Sequence, residues 1–452
     1  MKSSTQFLLA CGALAISVVG FVPRSFAAPT SSVTQNIVRQ NVGGIDLVVL
    51  KTGIKDVVTI RGTLAAGDSR SPESNFALAD LAAGMLDKGT VNRDKFAIAK
   101  TLGDAGAAIS FNTSASALNI SAKCLRADLP MVIGLLGEQL RSPAFAQDEF
   151  VKLKKQLAGE LARAMEETDF RANLAFVRAV YPKGHPNRGT SAEEYLAAVD
   201  KATLEEVKAF HAQMYGPVTM RLVVVGDVDA KVLAVELSRA FSGWNGGSAQ
   251  PPAARAGKSK AMREEIVQMP DKTNVTLIWG QATQLRNGEP DALALRVGTA
   301  AFGSGFTGRL MASVRDKEGL TYGIGAFNSN DTFVDGDWRI QGNFAPDLLN
   351  KGVASTKLQL LRWHKDGITA KELADTKGKF VGTYKLGLST TGGMADTILN
   401  TLNRDLPLSY IDEFGDRVNA LTLEQVNGAI QKHLHPDHMV LIEAGTIPVA
   451  TK

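Results

Sequence analysis

The sequence predicts an α+β protein of two homologous domains, each a mostly antiparallel sheet with helices packed on one face. Three observations carry this reading. First, Thr203, Leu204, Glu205, Glu206 and Val207 return as Thr422, Leu423, Glu424, Gln425 and Val426, and Pro217, Met220, Leu222 and Gly226 return at the same offset of 219 as Pro436, Met439, Leu441 and Gly445. Second, strand-like and helix-like stretches interleave without the strict alternation of a parallel doubly wound sheet. Third, 452 residues with 44% hydrophobic, 21% charged and 6% aromatic content form a globular composition with room for two units of about 200 residues each. Lys plus Arg number 50 against 46 acidic residues, so the chain lacks the basic excess of a nucleic-acid binder.

Taken in order, residues 1–27 read as a secretory signal peptide: Lys2, an apolar run over 7–22, then Ser25, Phe26 and Ala27 before the cut. The run is short for a membrane span, and too little apolar sequence precedes Cys11 for lipid processing. The expectation is an exported, periplasmic protein with no membrane span in the mature chain. Loss of Cys11 leaves Cys124 alone, which excludes an internal disulfide.

The first domain, 28–242, is read as strands over 46–50 and 57–64, helices over 75–86 and 93–102, strands over 108–112 and 117–122, and helices over 130–140 and 147–165. Each repeat copy opens with a capping box, Thr203 to Glu206 and Thr422 to Gln425, which satisfies orphan donors at a helix start. Each then passes through Pro into a buried strand. VVTIRG at 57–62 is echoed by VTLIWG at 275–280. The stretch 243–262 is rich in Gly, Pro, Ala and Lys and reads as an exposed linker, leaving 263–452 as the second domain.

Chemistry is sparse at first sight. None of the six histidines lies in an HExxH or HxxEH pattern, and no Cys-rich zinc motif exists. GSGFTG at 303–308 fits GxGxxG formally, but it follows a helix end and reads as a turn between two helices. His433, His435 and His438 crowd a helix end, loop and strand start, which favours structural or solvent-exposed roles over a ligand set. The informative stretch is 303–327. A helix over 309–317 should stop at Gly319, with a strand over 320–327. Arg315 then sits on the last helical turn and Tyr322 at the strand entry, so both tips can face one cleft. A plainer account also holds: Arg complements a helix C-terminus and Tyr commonly opens a strand.

RLMASVRDKEGLTYGIGA, which contains Arg315 and Tyr322, resembles the second-domain signature of the pitrilysin and mitochondrial-processing-peptidase family. These are inverzincin metallopeptidases in which such an Arg and Tyr, seven apart, contact the substrate. FALADLAAGMLDKGT at 76–90 resembles the helix that carries HxxEH in active members, and His185-Pro186 in YPKGHPNRGT matches the family's His-Pro turn. The likeness covers essentially the whole mature chain. Laid over HxxEH, this sequence reads Asp80-Leu81-Ala82-Ala83-Gly84; of the third-ligand position only Glu160 survives. A catalytic zinc takes three protein ligands and a water with a base beside it, so Asp80, Ala83, Gly84 and Glu160 form a degenerate site.

The resemblance therefore implies a processing-peptidase-like fold and a non-catalytic subunit of a heterodimeric zinc metallopeptidase. This chain would hold no cofactor. A homologous HxxEH-bearing subunit would bring the zinc, while Arg315 and Tyr322 would act on that partner's active site during peptide hydrolysis. Gly303, Gly305 and Arg309 become candidate substrate-binding residues, with Gly308 sharing the turn; the glycines either give a peptide room to approach or simply make the bend. AISFNTSA at 108–115 resembles the edge strand to which substrates add. Two alternatives stand beside this: a non-enzymatic peptide-binding or scaffold protein of the same fold, and a metalloenzyme using Asp80, Glu160 and imported histidines.

Overall fold

Two sheets organise the chain. In this computed structural model, which describes residues 32–249, 255–259 and 261–447, the first half contains β1 (Ile37–Val42), β2 (Ile45–Lys51), β3 (Val57–Leu64), α1 (Leu78–Met85), α2 (Lys95–Asp104), β4 (Ala108–Thr113) and β5 (Leu118–Leu125). It continues with α3 (Leu129–Arg141), α4 (Gln147–Ala164), α5 (Thr168–Val180), α6 (Ala192–Lys201), α7 (Leu204–Met214), β6 (Arg221–Gly226) and α8 (Ala230–Ala240). The second half contains β7 (Arg263–Gln268), β8 (Val275–Ala282), α9 (Ala292–Gly303), β9 (Thr321–Ser329), β10 (Asp337–Phe344), α10 (Leu349–Asp366) and α11 (Ala370–Gly387). Then come α12 (Thr391–Asn403), α13 (Tyr410–Ala420), α14 (Leu423–His433) and β11 (Val440–Gly445). The signal peptide expected at 1–27 lies outside the described residues. None of the described helices is long and apolar enough to cross a membrane.

The strand orders are β1-β2-β6-β3-β5-β4 and β7-β11-β8-β10-β9. Only β2 with β6 and β7 with β11 run parallel; the other neighbours are antiparallel. The repeat is visible in the backbone. α7 and α14, the 3-10 turns Pro217–Thr219 and Pro436–His438, and β6 and β11 all keep the sequence offset of 219. Both capping boxes form: Glu206 N–H donates to Thr203 Oγ1 at 3.2 Å, and Gln425 N–H to Thr422 Oγ1 at 3.1 Å.

Each sheet carries its own half's helices on one face, as the sequence predicts. Leu47, Val49, Ile60, Leu222 and Val224 share a core with residues of α1, α3, α7 and α8. The opposite face is covered as well, by a helix from the other half. Val48, Leu50, Val223 and Val225 meet Ala395, Ile398, Leu399 and Leu402 of α12, and Ile278, Val440, Ile442 and Ala444 meet Ala172, Phe176 and Val177 of α5. Strands buried on both faces read as unbroken apolar runs, as LVVL and LVVV do here. Most described residues of the expected linker are exposed, with Ala256 as the exception. Ala256 is fully buried, and its N–H donates to Asp335 at 3.0 Å.

The helix expected over 309–317 is present but underwound. After Arg309 and Leu310 it becomes a π-helix, Met311–Lys317, in which Glu318 N–H reaches back five residues to Ser313 O at 3.1 Å. Gly319, at φ 65°, ends it with its N–H on Arg315 O, the left-handed stop that glycine provides without a Cβ penalty.

Candidate functional site

The degenerate metal position lies between α1 and α4. Gly84 lets the two helices meet: a Cβ there would lie 2.9 Å from the Leu153 side chain. Ala83 is buried in the first core. Asp80 accepts hydrogen bonds from Thr113 on β4 and, at 2.6 Å, from the Tyr195 hydroxyl on α6. Asp68 joins them from the turn after β3. Enclosure within the cleft, then the charge of Asp80 and a hydrogen bond between the two, hold the Asp68 carboxyl well above the usual range. Burial and the same carboxylate push the Tyr195 phenol up.

Glu160 is exposed and accepts from Gln156 one turn earlier at 2.9 Å. Among the described residues no group of three or more His, Cys, Asp or Glu is arranged to hold a metal ion. The residues present do not fit a catalytic zinc. Asp80 is engaged by hydroxyls, Glu160 by an amide, and Ala83 and Gly84 have nothing to offer. What remains is a cavity of about 340 Å³, apolar along Phe76, Leu157, Leu161, Phe170 and Leu174, with Asp68, Asp80 and Tyr195 at its polar end.

The second constellation is at the other half's helix-to-strand junction. α9 ends at Gly303, where a Cβ would stand 2.3 Å from Ala326 N, so only glycine allows β9 this close. Gly305 takes φ 68° and makes the bend. Arg309 pairs bidentately with Glu372, whose carboxylate also accepts from Thr369 N–H at 2.7 Å in the capping box of α11. Burial alone would raise the Glu372 carboxyl, but the Arg309 and Thr369 bonds outweigh it and hold it below its ordinary value. Arg309 thus ties the turn to α11, with its guanidinium already occupied.

Arg315 and Tyr322 do come together. The guanidinium carbon of Arg315 lies 5.6 Å from the centre of the Tyr322 ring and 5.3 Å from that of Phe306, within cation–π range of both. Tyr322 is 90% exposed and Phe306 72% exposed. Arg315 donates a hydrogen bond to its neighbour Asp316 at 3.2 Å. The patch therefore offers a phenol hydroxyl and most of a guanidinium fork to whatever approaches. Phe306 was missed by sequence reasoning; the one signal for it is an aromatic residue placed inside a Gly-rich turn.

His185, read from sequence as part of a turn, clasps the two halves. It is buried, stacked on Tyr181 at 4.4 Å, with Nδ1 accepting from Asn187 N–H at 3.2 Å and Nε2 donating to Asp335 at 3.0 Å. Tyr181 donates to Asp337 at 2.8 Å beside Arg339. Of the three clustered histidines, His433 bonds Asp291 at 3.0 Å, while the rings of His435 and His438 lie 6.0 Å apart. β4 and β9 each pair on one side only, with β5 and β10, so an edge of each sheet is open to an added strand.

A duplicated α+β chain that keeps the helices around a metallopeptidase's metal position, without its imidazoles, belongs in class with the metallopeptidase homologues. Residues 47–190 match the model described as Insulinase (Peptidase family M16), and residues 201–380 match the Peptidase M16 inactive domain. The chain belongs to peptidase family M16. A Helicobacter pylori protein named non-peptidase homolog YmxG is 24% identical over 378 residues, covering 81% of this chain and 84% of the relative. A Bacillus subtilis protein named uncharacterized zinc protease YmxG is 24% identical over 372 residues, covering 80% and 88%. Among solved structures, a peptidase M16 inactive domain from Pseudomonas fluorescens superposes with TM-score 0.85 at 24% identity, covering 92% of this chain and 99% of that one. The periplasmic protease PqqL from Escherichia coli gives TM-score 0.76 at 14% identity over 99% of this chain and 49% of its own. These superpositions speak to the fold.

Proposed function

We propose that this chain is an exported, periplasmic, non-catalytic subunit of a heterodimeric zinc peptidase, lending Arg315 and Tyr322 to a site whose metal and base belong to a homologous HxxEH-bearing chain. The observation that carries the reading is the pairing of an exposed phenol with a guanidinium on one surface, while the metal position of the same chain is closed by Asp80, Asp68, Thr113 and Tyr195. Attack on a peptide carbonyl builds negative charge on its oxygen. A donor aimed there stabilises the transition state, and the Tyr322 hydroxyl has that chemistry. Arg315 suits a substrate carbonyl, with its fixed fork of N–H groups. The open edge of β4 suits an extended peptide, bound through its main chain.

Purified alone, the chain is expected to cleave nothing. Mixed with an HxxEH-bearing homologue it is expected to restore peptide cleavage, and Tyr322→Phe in that mixture lowers the rate by roughly 10²- to 10³-fold, as for loss of one oxyanion donor. Full activity of the variant mixture refutes the role. The second reading, a peptide-binding or scaffold protein, draws on the same open edges of β4 and β9. Extended peptides binding with no hydrolysis in the presence of the zinc homologue would select it.

A further inference from the structure

Remote from the Arg315 surface in the sequence, a cavity of about 300 Å³ opens between the end of β8 and the end of α14. Arg255, Lys258, Lys432 and His433 line it. Two carboxylates answer them. Glu289 takes Arg255, and Asp291 is shared by Lys432 at 2.7 Å and His433 at 3.0 Å. Three permanent cations thus meet two acids, and among the described residues Lys258 forms neither an ion pair nor a hydrogen bond.

The walls are built and held. Gln284 and Asp291 adopt left-handed backbone at φ 59° and 71°, a conformation that costs a non-glycine residue energy and persists only where neighbours enforce it. Arg255 Nη1 donates to Gln284 O at 2.9 Å, and Gln284 Nε2 to Ala256 O at 2.6 Å. Gln281 bridges the opposite wall, donating to His433 O at 3.1 Å and accepting from His435 N–H at 2.7 Å. Behind that wall stand further imidazoles. Burial first, then Lys258, His438, His364 and His433, hold the His435 pKa below its ordinary value; the groups bearing most on it are all cationic or able to become so.

We propose that this cavity is a binding site for a doubly charged oxyanion of the phosphate type, held by Lys258 with Arg255 and Lys432. A bound dianion supplies the missing countercharge and favours the protonated imidazoles around it, so binding takes up protons and tightens as pH falls through the histidine range. The site is independent of Arg315 and Tyr322, and its fate does not bear on their role.

The test is calorimetric titration of the purified chain with sulfate, which stays a dianion throughout, at low ionic strength. Saturable binding is expected, about tenfold tighter at about pH 5.5 than at about pH 7.5, with net proton uptake seen by comparing buffers of different ionisation enthalpy. Lys258→Glu, an exposed position, weakens it about tenfold. Lys351→Glu, with the same charge change at the far end of α10 from His364, leaves it unaltered. His435→Gln removes most of the pH dependence. Two further probes assign the source: pyrophosphate displacing sulfate points to a soluble phosphate compound, and retention on phosphatidylglycerol vesicles that Lys258→Glu abolishes points to a lipid headgroup. No saturable binding, no proton uptake, or equal loss in the two lysine variants overturns the proposal.

Discussion

Replacing Asp335 tests how the two halves are held together. Its carboxylate is 3% exposed and accepts from two buried donors, His185 Nε2 at 3.0 Å and Ala256 N–H at 3.0 Å. Asp335→Ala orphans both. At about 1–3 kcal/mol for each unsatisfied buried donor, the loss sums to roughly 4 kcal/mol. Asp335→Asn keeps one acceptor and turns an NH₂ group toward the other donor, so about 2 kcal/mol is expected. Burial alone would raise the Asp335 carboxyl, but the His185 bond and the Ala256 amide outweigh it and hold it below the usual range. A depressed carboxyl contributes stability that is complete above the unfolded value of about 3.9 and disappears as pH falls through the lower folded value. The gap between the native chain and Asp335→Asn should therefore be full at about pH 7 and close in acid below about pH 4. Urea unfolding followed by Trp338 and Trp363 fluorescence across that range measures it. A loss under about 0.5 kcal/mol at neutral pH, the size of an ordinary surface change, would refute the clasp.

Gly303→Ala places a Cβ against the backbone of β9, 2.3 Å from Ala326 N, and should cost about 1–3 kcal/mol by overpacking, read as a lowered unfolding midpoint. Arg309→Ala leaves Glu372 without its bidentate partner and should destabilise by about 1–2 kcal/mol, with protease nicking between α9 and β9 as the local readout. Tyr322→Phe alters an exposed side chain and should leave stability within about 0.5 kcal/mol, so any effect on assisted cleavage is chemical. Asp68→Asn preserves a donor to Asp80 while removing a raised titration. Raised folded pKa means that stability falls as pH rises from the unfolded value toward the folded one. The variant should lack that decline, and identical pH profiles would contradict a raised Asp68 carboxyl.

Much of this arrangement could be read along the chain, because the repeat carries local signals. Capping boxes at Thr203 and Thr422, Pro after each helix and apolar runs after each Pro are short-range chemistry, and they fix α7, β6, α14 and β11. Arg315 and Tyr322 were legible for a similar reason, being close in sequence and joined by one glycine stop. Contacts made by distant segments were not. Tyr195 and Asp68 reach Asp80 only once α6 and the turn after β3 are folded against α1. His185 signals a turn through its proline, but its partner Asp335 is 150 residues away. Ala256, in a stretch whose composition reads as exposed, is buried because its amide completes that same carboxylate. The π-helical winding of Met311–Lys317 leaves no mark in residue spacing, since its buried residues, Leu310, Met311 and Val314, stand three and four apart as they would on an α-helix.

The exchange of α5 and α12 has a consequence for motion. Each sheet's second face is sealed by a helix belonging to the opposite half, through apolar clusters that join Phe176 with Ile442 and Ile398 with Val223. Hinges need an interface that can part and re-form, and one made of shared core resists separation. Severing the backbone near residue 250 should leave two fragments that co-purify, and neither should refold unaided. Its own two halves are too thoroughly interlocked to gape like a jaw.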